Sequence, residues 1–277
     1  MKLKKLFITG AALLASMTTF ASAAQAATSS DVQKVIDESY VQPDYVMGYS
    51  LSEDQRNQTL NLLGYDSNKD TNVKTLTTSA YAKIMNVADD SSLQLYSSDM
   101  YRNAATTLGI EHAKITVAAP IAVTGESALA GIYYSLEQNG AKVSDESKEL
   151  AQEELKTLSQ INEENSGKSN YDADKLNVAM TDIKSAVADK GDKLTEDQAK
   201  TIVQQTINNY NLNLSDNQIN LLVNFALNLS KSSIIDSASF KSSLSSLKDS
   251  IVSKAGNTFS GINLKFDANK TLENSKN

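Results

Sequence analysis

From residue 172 onward, apolar side chains recur at helical spacing, and this constrains the C-terminal part of the chain to a bundle of amphipathic helices. Leu176, Met180, Ile183 and Val187 fall at i, i+4, i+7 and i+11. Ile202, Val203, Ile207 and Tyr210 mark a second helix, Ile219, Leu222, Val223 and Ala226 a third, and Phe240, Leu244, Leu247 and Ile251 a fourth. One apolar stripe per helix needs a partner stripe, so the four are expected to pack together as an all-α domain over 172–255. A start signal recurs: Leu51 to Gln55, Leu194 to Gln198 and Leu214 to Gln218 each place a hydroxyl three residues before Gln, with acid between. That spacing lets the hydroxyl accept from the third amide while Gln reaches back, and the acids suit the positive helix end.

The first half reads differently. Thr75 to Ile84 and Leu93 to Tyr96 look like strands joined as a hairpin through Asp89-Asp90-Ser91-Ser92. Ala113 to Val123 alternates Ile115, Val117, Ala119, Ile121 and Val123 and is the best buried strand. Helices are expected from Ser52 to Gly64, Ser98 to Leu108, Ser127 to Gln138 and Glu146 to Ile161. The pattern predicts an α+β or α/β N-terminal domain over 27–162, a small mixed sheet with flanking helices, followed by the all-α helical C-terminal domain. Residues 163–171, polar around Gly167, read as a linker, and 256–277 as a polar, disordered tail.

Residues 1–26 carry an export pattern: Lys2, Lys4 and Lys5, a mostly apolar run from Leu6 to Phe20, then small-residue sites at Ala21-Ser22-Ala23 and Ala24-Gln25-Ala26. Processing there predicts a secreted or extracellular chain, loosely wall-associated. It also removes three lysines and no acid, making the net charge more negative than −7. No second apolar stretch approaches about 18 residues, so no retained membrane span is expected. The absence of cysteine excludes disulfides, thiolate metal sites and a cysteine nucleophile. With two arginines, Arg56 and Arg102, among more numerous acids, nucleic acid is not expected as a partner.

Among reactive patterns, Gly125-Glu126-Ser127-Ala128-Leu129 stands at a strand-to-helix turn, the setting of the G-x-S-x-G nucleophile elbow. Leu129 replaces the last glycine, and the one histidine, His112, precedes the serine instead of following it, which argues against a Ser-His-Asp hydrolase. A small anion or carboxylate could sit on the helix-start amides, although Glu126 opposes it. Asp66-Ser67-Asn68-Lys69-Asp70 has calcium-loop spacing but lacks the glycine and the final glutamate. Ser245-Ser246-Leu247-Lys248 and Ser215-Asp216-Asn217 echo penicillin-interacting motifs in reversed order and read as helix surface and cap. Nine of eleven tyrosines lie between Tyr40 and Tyr134, making Tyr81, Tyr96, Tyr133 and Tyr134 candidates for a ligand-facing patch. The ligand-binding candidates are therefore Thr124, Gly125, Glu126, Ser127 and Tyr133. No catalytic residue, metal site or cofactor is expected.

The run Ala113-Lys114-Ile115-Thr116-Val117-Ala118-Ala119-Pro120-Ile121-Ala122-Val123-Thr124-Gly125-Glu126-Ser127-Ala128-Leu129-Ala130-Gly131-Ile132 resembles the YpuA-like family of secreted Gram-positive proteins, a domain of unknown function. Met100 to Ala104 with Gly109-Ile110, the Leu51 to Gly64 helix and the Leu212 to Leu229 helix resemble it more loosely. The stretch from Gly64 to Leu76 departs from the family pattern, being a short Asn/Asp/Thr turn in place of an acidic, glycine-bearing loop. The resemblance implies an exported, envelope-associated protein and brings no catalytic residues. The expectation is a non-catalytic protein binding a wall polymer, a small ligand or an envelope partner protein. The alternative is a carboxylate-dependent hydrolase of cell-wall glycan with Glu126 as its acid. A third reading is a chaperone-like or inhibitory protein using an apolar groove in the helical half.

Overall fold

The computed structural model describes residues 32–34, 81–85, 94–95, 99–118, 125–138 and 140–274. Its helices are α1 Asp99–Thr107, α2 Gly125–Gln138, α3 Asp145–Asn165, α4 Ala173–Lys190, α5 Glu196–Asn209, α6 Asp216–Leu229, α7 Ala238–Lys254 and α8 Ala268–Asn274. Short 3-10 turns lie at Gly191–Lys193 and Ser233–Asp236.

The sequence patterns act as read at several helix ends. Thr195 and Ser215 accept from the amides of Gln198 and Gln218, and both Gln side chains return to the cap amides, closing two capping boxes. Ser144 and Asp172, which the sequence reading did not single out, cap α3 and α4 by accepting from Ser147 and Lys175. Gly109 follows α1 at φ +86 and Gly191 follows α4 at φ +63, backbone conformations that a Cβ disfavours. The third repeat of the start signal, Leu51 to Gln55, lies outside the described residues.

The expected fold class is corrected. In place of a sheet-centred α+β or α/β domain leading to a separate helical domain, the described chain is a predominantly helical protein in which helix packs on helix. Helix α1, expected beside a sheet, rests on α3, α4 and α7. Extended pairing is confined to three short segments, β1 Tyr81–Met85, β2 Gln94–Leu95 and β3 Lys114–Ala118. The expected hairpin is absent, because β3 lies between the other two, antiparallel to β1 and parallel to β2. Local alternation identified residues with extended propensity. The burial that organises the fold comes from helices reaching across the sequence.

Helix α4 is the centre. It touches α1, α3, α5, α6, α7 and α8, and its buried residues Leu176, Val178, Met180, Ile183, Ala186 and Val187 face several directions at once. One narrow side stays open, where Asp182, Ser185 and Asp189 recur at helical spacing and are half-buried or exposed. The buried apolar residues form two clusters that meet at α3. Leu150, Leu158 and Ile161 join the larger cluster with α4 to α8, while Ala151 and Leu155 join the smaller one with Leu108, Ile110, Leu129, Ile132 and Leu136. Met100 of α1 packs against both.

Two boundaries also change. Helix α3 continues to Asn165, taking in the first residues of the expected linker. Residues 256–274 are ordered against the body instead of forming a disordered tail: Phe259, Ala268 and Leu272 are buried in the larger cluster, and Phe259 meets Tyr210 edge-on at 6.2 Å. With the partly buried Ile262, Leu264 and Phe266 they are spaced unevenly through a polar stretch, so they escape a periodicity test but still pack on the core.

Candidate functional site

Of the residues singled out from sequence, Gly125, Glu126 and Ser127 form the first turn of α2, and Thr124 lies outside the described residues. Tyr133 lies seven residues beyond Glu126, about 10 Å along the helix at 1.5 Å per residue. It is buried, its hydroxyl accepts from Gln152 Nε2 at 2.8 Å, and Lys148 Nζ stands 5.6 Å from its ring centre. Tyr133 thus belongs to the α2–α3 packing. His112 sits in a loop whose backbone is gripped by the buried Gln33 side chain. Oε1 of Gln33 accepts from the Glu111 and His112 amides at 2.8 and 3.1 Å, and Nε2 donates to the His112 carbonyl at 3.0 Å. The calcium-like segment 66–70 lies outside the described residues. Among the described residues, no group of three His, Cys, Asp or Glu is placed to hold a metal ion.

The polar chemistry inside the body is concentrated at α4. Lys184 and Glu154 are fully buried and lie 2.9 Å apart, Nζ to Oε1. Lys184 Nζ also donates to the Asn103 carbonyl at 2.9 Å, Thr106 Oγ1 at 2.7 Å and Thr107 Oγ1 at 3.3 Å, while Thr107 Oγ1 donates to Glu154 Oε2 at 2.5 Å. Burial pulls the Lys184 ammonium below its ordinary value, and Glu154 pulls it back up. This set binds α1, α3 and α4 through charge-assisted hydrogen bonds shut away from any substrate.

A second internal set joins α4, α7 and the end of α5. Lys248 Nζ lies 2.7 and 2.9 Å from the two carboxylate oxygens of Asp182, and Tyr210 donates to Asp182 Oδ2 at 2.6 Å. Burial raises the Asp182 carboxyl above its ordinary value, although Lys248 and Tyr210 pull it down. Arg102, also buried, donates to Asp99 Oδ1 at 2.8 Å and Ser250 Oγ at 2.6 Å, fastening α1 to α7.

The surface recesses have another character. A groove of about 640 Å³ runs between α5 and α6, lined by Lys200, Thr201, Gln204 and Gln205 on one side and Asp216, Ile219 and Asn220 on the other. Its size falls in the range of small-ligand sites. Five of these seven side chains are neutral, and four of the neutral ones are amides or a hydroxyl able to donate and accept. Thr201 Oγ1 donates to the Asp197 carbonyl at 2.8 Å and Gln204 Nε2 to Asn208 Oδ1 at 3.3 Å. Gln205 Oε1 is buried with no hydrogen-bond partner. A smaller recess of about 220 Å³ is bordered by Asp182, Ser185, Asp189 and Asp267. Its carboxylates are already engaged: Asp182 by Lys248, Asp189 by Lys241 and, at 3.8 Å, Asp267 by Lys270.

Sequence reasoning passed over the α5–α6 groove. The available signal was a polar face carrying amides at helical spacing, Gln204 with Asn208 and Asn220 with Asn224. It marks solvent exposure on each helix and becomes a groove only when the two helices are set side by side.

These features define a helical protein whose buried charged groups brace the interior and whose surface carries a polar, amide-lined groove, besides a second polar recess of about 620 Å³ at Asn170, Tyr171, Asn211 and Asn213. The chain belongs to the family described as "Protein of unknown function (DUF1002)", whose model matches residues 91–247 and includes the whole of α5 and α6. It is similar to the uncharacterized protein YpuA of Bacillus subtilis (strain 168), with 28% identity over 228 residues, covering 80% of this chain and 75% of that protein. No solved structure matches it significantly.

Proposed function

We propose that this protein is exported and acts without catalysis, holding a wall component, small ligand or partner protein at the cell envelope. The groove lining carries the reading: amides and a hydroxyl that bind through hydrogen bonds, with no nucleophile set against a base. The N-terminal basic and apolar pattern, ending in two small-residue sites, supports export. Among the described residues no helix is long and apolar enough to cross a membrane, which agrees with a chain released or held non-covalently after processing.

The test is sedimentation of residues 27–277 with purified cell walls, at low and high salt and with or without calcium. The reading expects the protein in the pellet at high salt, because neutral hydrogen bonding is screened far less than ion pairing. A protein that stays in the supernatant under every condition contradicts wall binding. Turnover of wall polymer abolished by one substitution contradicts the non-catalytic assignment. In the secreted protein, N-terminal sequencing is expected to begin near Ala24 or Ala27.

A further inference from the structure

We infer that the α5–α6 groove is a binding site for an uncharged, hydroxyl-rich carbohydrate chain, with Gln205 and Asn220 as its hydrogen-bonding contacts. This inference rests on the proposal that the protein holds a wall component, and it supplies the site and the chemical class.

The unpartnered Gln205 oxygen is the first argument. Asn103 Oδ1 and Asn269 Oδ1 share this state on buried side chains, whereas Gln205 is half-buried on the wall of an open groove, so its amide can turn outward and take a donor from a ligand there. The charge of the lining is the second. Lys200 and Asp216 are the charged members, one of each sign, so the groove selects neither a polyanion nor a polycation. The chain as a whole is acidic, net −7, which further disfavours anionic polymers. The third argument is functional-group matching. A sugar hydroxyl both donates and accepts, as do the amides of Gln204, Gln205 and Asn220, so successive hydroxyls can pair along the groove in either polarity. Ile219 provides the apolar patch that the CH face of a pyranose ring needs. A peptide fits less well, because peptide grooves take side-chain anchors in apolar pockets and this lining has a single apolar residue.

The experiment uses residues 27–277 and two substitutions, Gln205→Leu and Asn220→Ala. The probe is a soluble tetramer of N-acetylglucosamine, titrated calorimetrically alongside the wall-sedimentation assay. The expected result is saturable tetramer binding by the wild type, at least about tenfold weaker in each variant, the scale of one lost hydrogen bond. Thermal midpoints should be unchanged or, for Gln205→Leu, raised, because the leucine removes an unsatisfied acceptor. Asn220 is exposed, so its alanine variant tests the contact without disturbing the core. Wall and tetramer binding unaffected by either substitution overturns the groove assignment and leaves the wall-binding proposal standing. Wall binding with no tetramer binding, or competed by wall peptide alone, overturns the carbohydrate assignment. Binding to neither walls nor tetramer overturns both.

Discussion

Replacing Lys184 by methionine should be among the most damaging single changes in the helical body, and its magnitude follows from the geometry. The lysine is fully buried, with its ammonium 2.9 Å from Glu154 and three further oxygens within 3.3 Å. Methionine keeps most of the volume and removes the charge. Glu154 is then left buried with Thr107 as its donor at 2.5 Å. Breaking a buried pair by removing one partner costs about 3–5 kcal/mol, mostly the penalty of the stranded charge. At roughly 2–4 °C per kcal/mol for a chain of this size, the thermal midpoint should fall by about 6–20 °C. The double variant Lys184→Met/Glu154→Leu strands no charge and should recover to within about 1 kcal/mol of wild type. Urea unfolding followed by circular dichroism, closed as a double-mutant cycle, measures both. A single-variant cost below about 1 kcal/mol would refute the sealed pair. A double variant as unstable as the single one would assign the loss to packing instead of charge.

Three further outcomes follow from the same structure. Thr195→Ala and Ser215→Ala should each cost about 1 kcal/mol in chemical denaturation, since each opens a capping box. Phe259→Ala should cost about 3–5 kcal/mol, because the ring is buried against Tyr210; a near-neutral result would mean that residues 256–274 do not complete the core. Asp182 has its carboxyl raised above 3.8 by burial, so the folded state holds the proton more tightly than the unfolded chain. Its contribution is therefore full below the ordinary carboxylate value and declines as pH rises through the raised one. The stability of wild type relative to Asp182→Asn should fall across that window. A rise instead would show that the Lys248 ion pair outweighs burial.

Residues 172–255 were legible because their helices announce themselves twice, through apolar spacing and through start signals such as Thr195–Gln198 and Ser215–Gln218. Periodicity misled where burial is not one-sided. Asn177, Thr181 and Lys184 lie on α4, the most enclosed helix, and a stripe model sends them to solvent although all three are buried. Asn177 pairs with Asn103, and Lys184 with Asn103, Thr106, Thr107 and Glu154, all distant in sequence, so no local pattern reveals them, while Thr181 donates to the Val178 carbonyl of its own helix. The α/β reading weighed the alternation around Ile115 and Val117 heavily. It could not see that α1 and α3 pack onto α4, which makes helix packing the organising principle. Tyr133 was chosen for its aromatic surface, yet that surface is spent on α3, whereas Gln205 was invisible because a glutamine on a polar helix face carries no distinguishing mark.

The most direct measurement of the binding account is a proton–nitrogen correlation spectrum of residues 27–277 titrated with the N-acetylglucosamine tetramer. The account predicts that the side-chain amide resonances of Gln204, Gln205 and Asn220 move first and saturate together. Shifts gathered instead along Gly125 to Tyr133, or no shifts at any concentration, would contradict it.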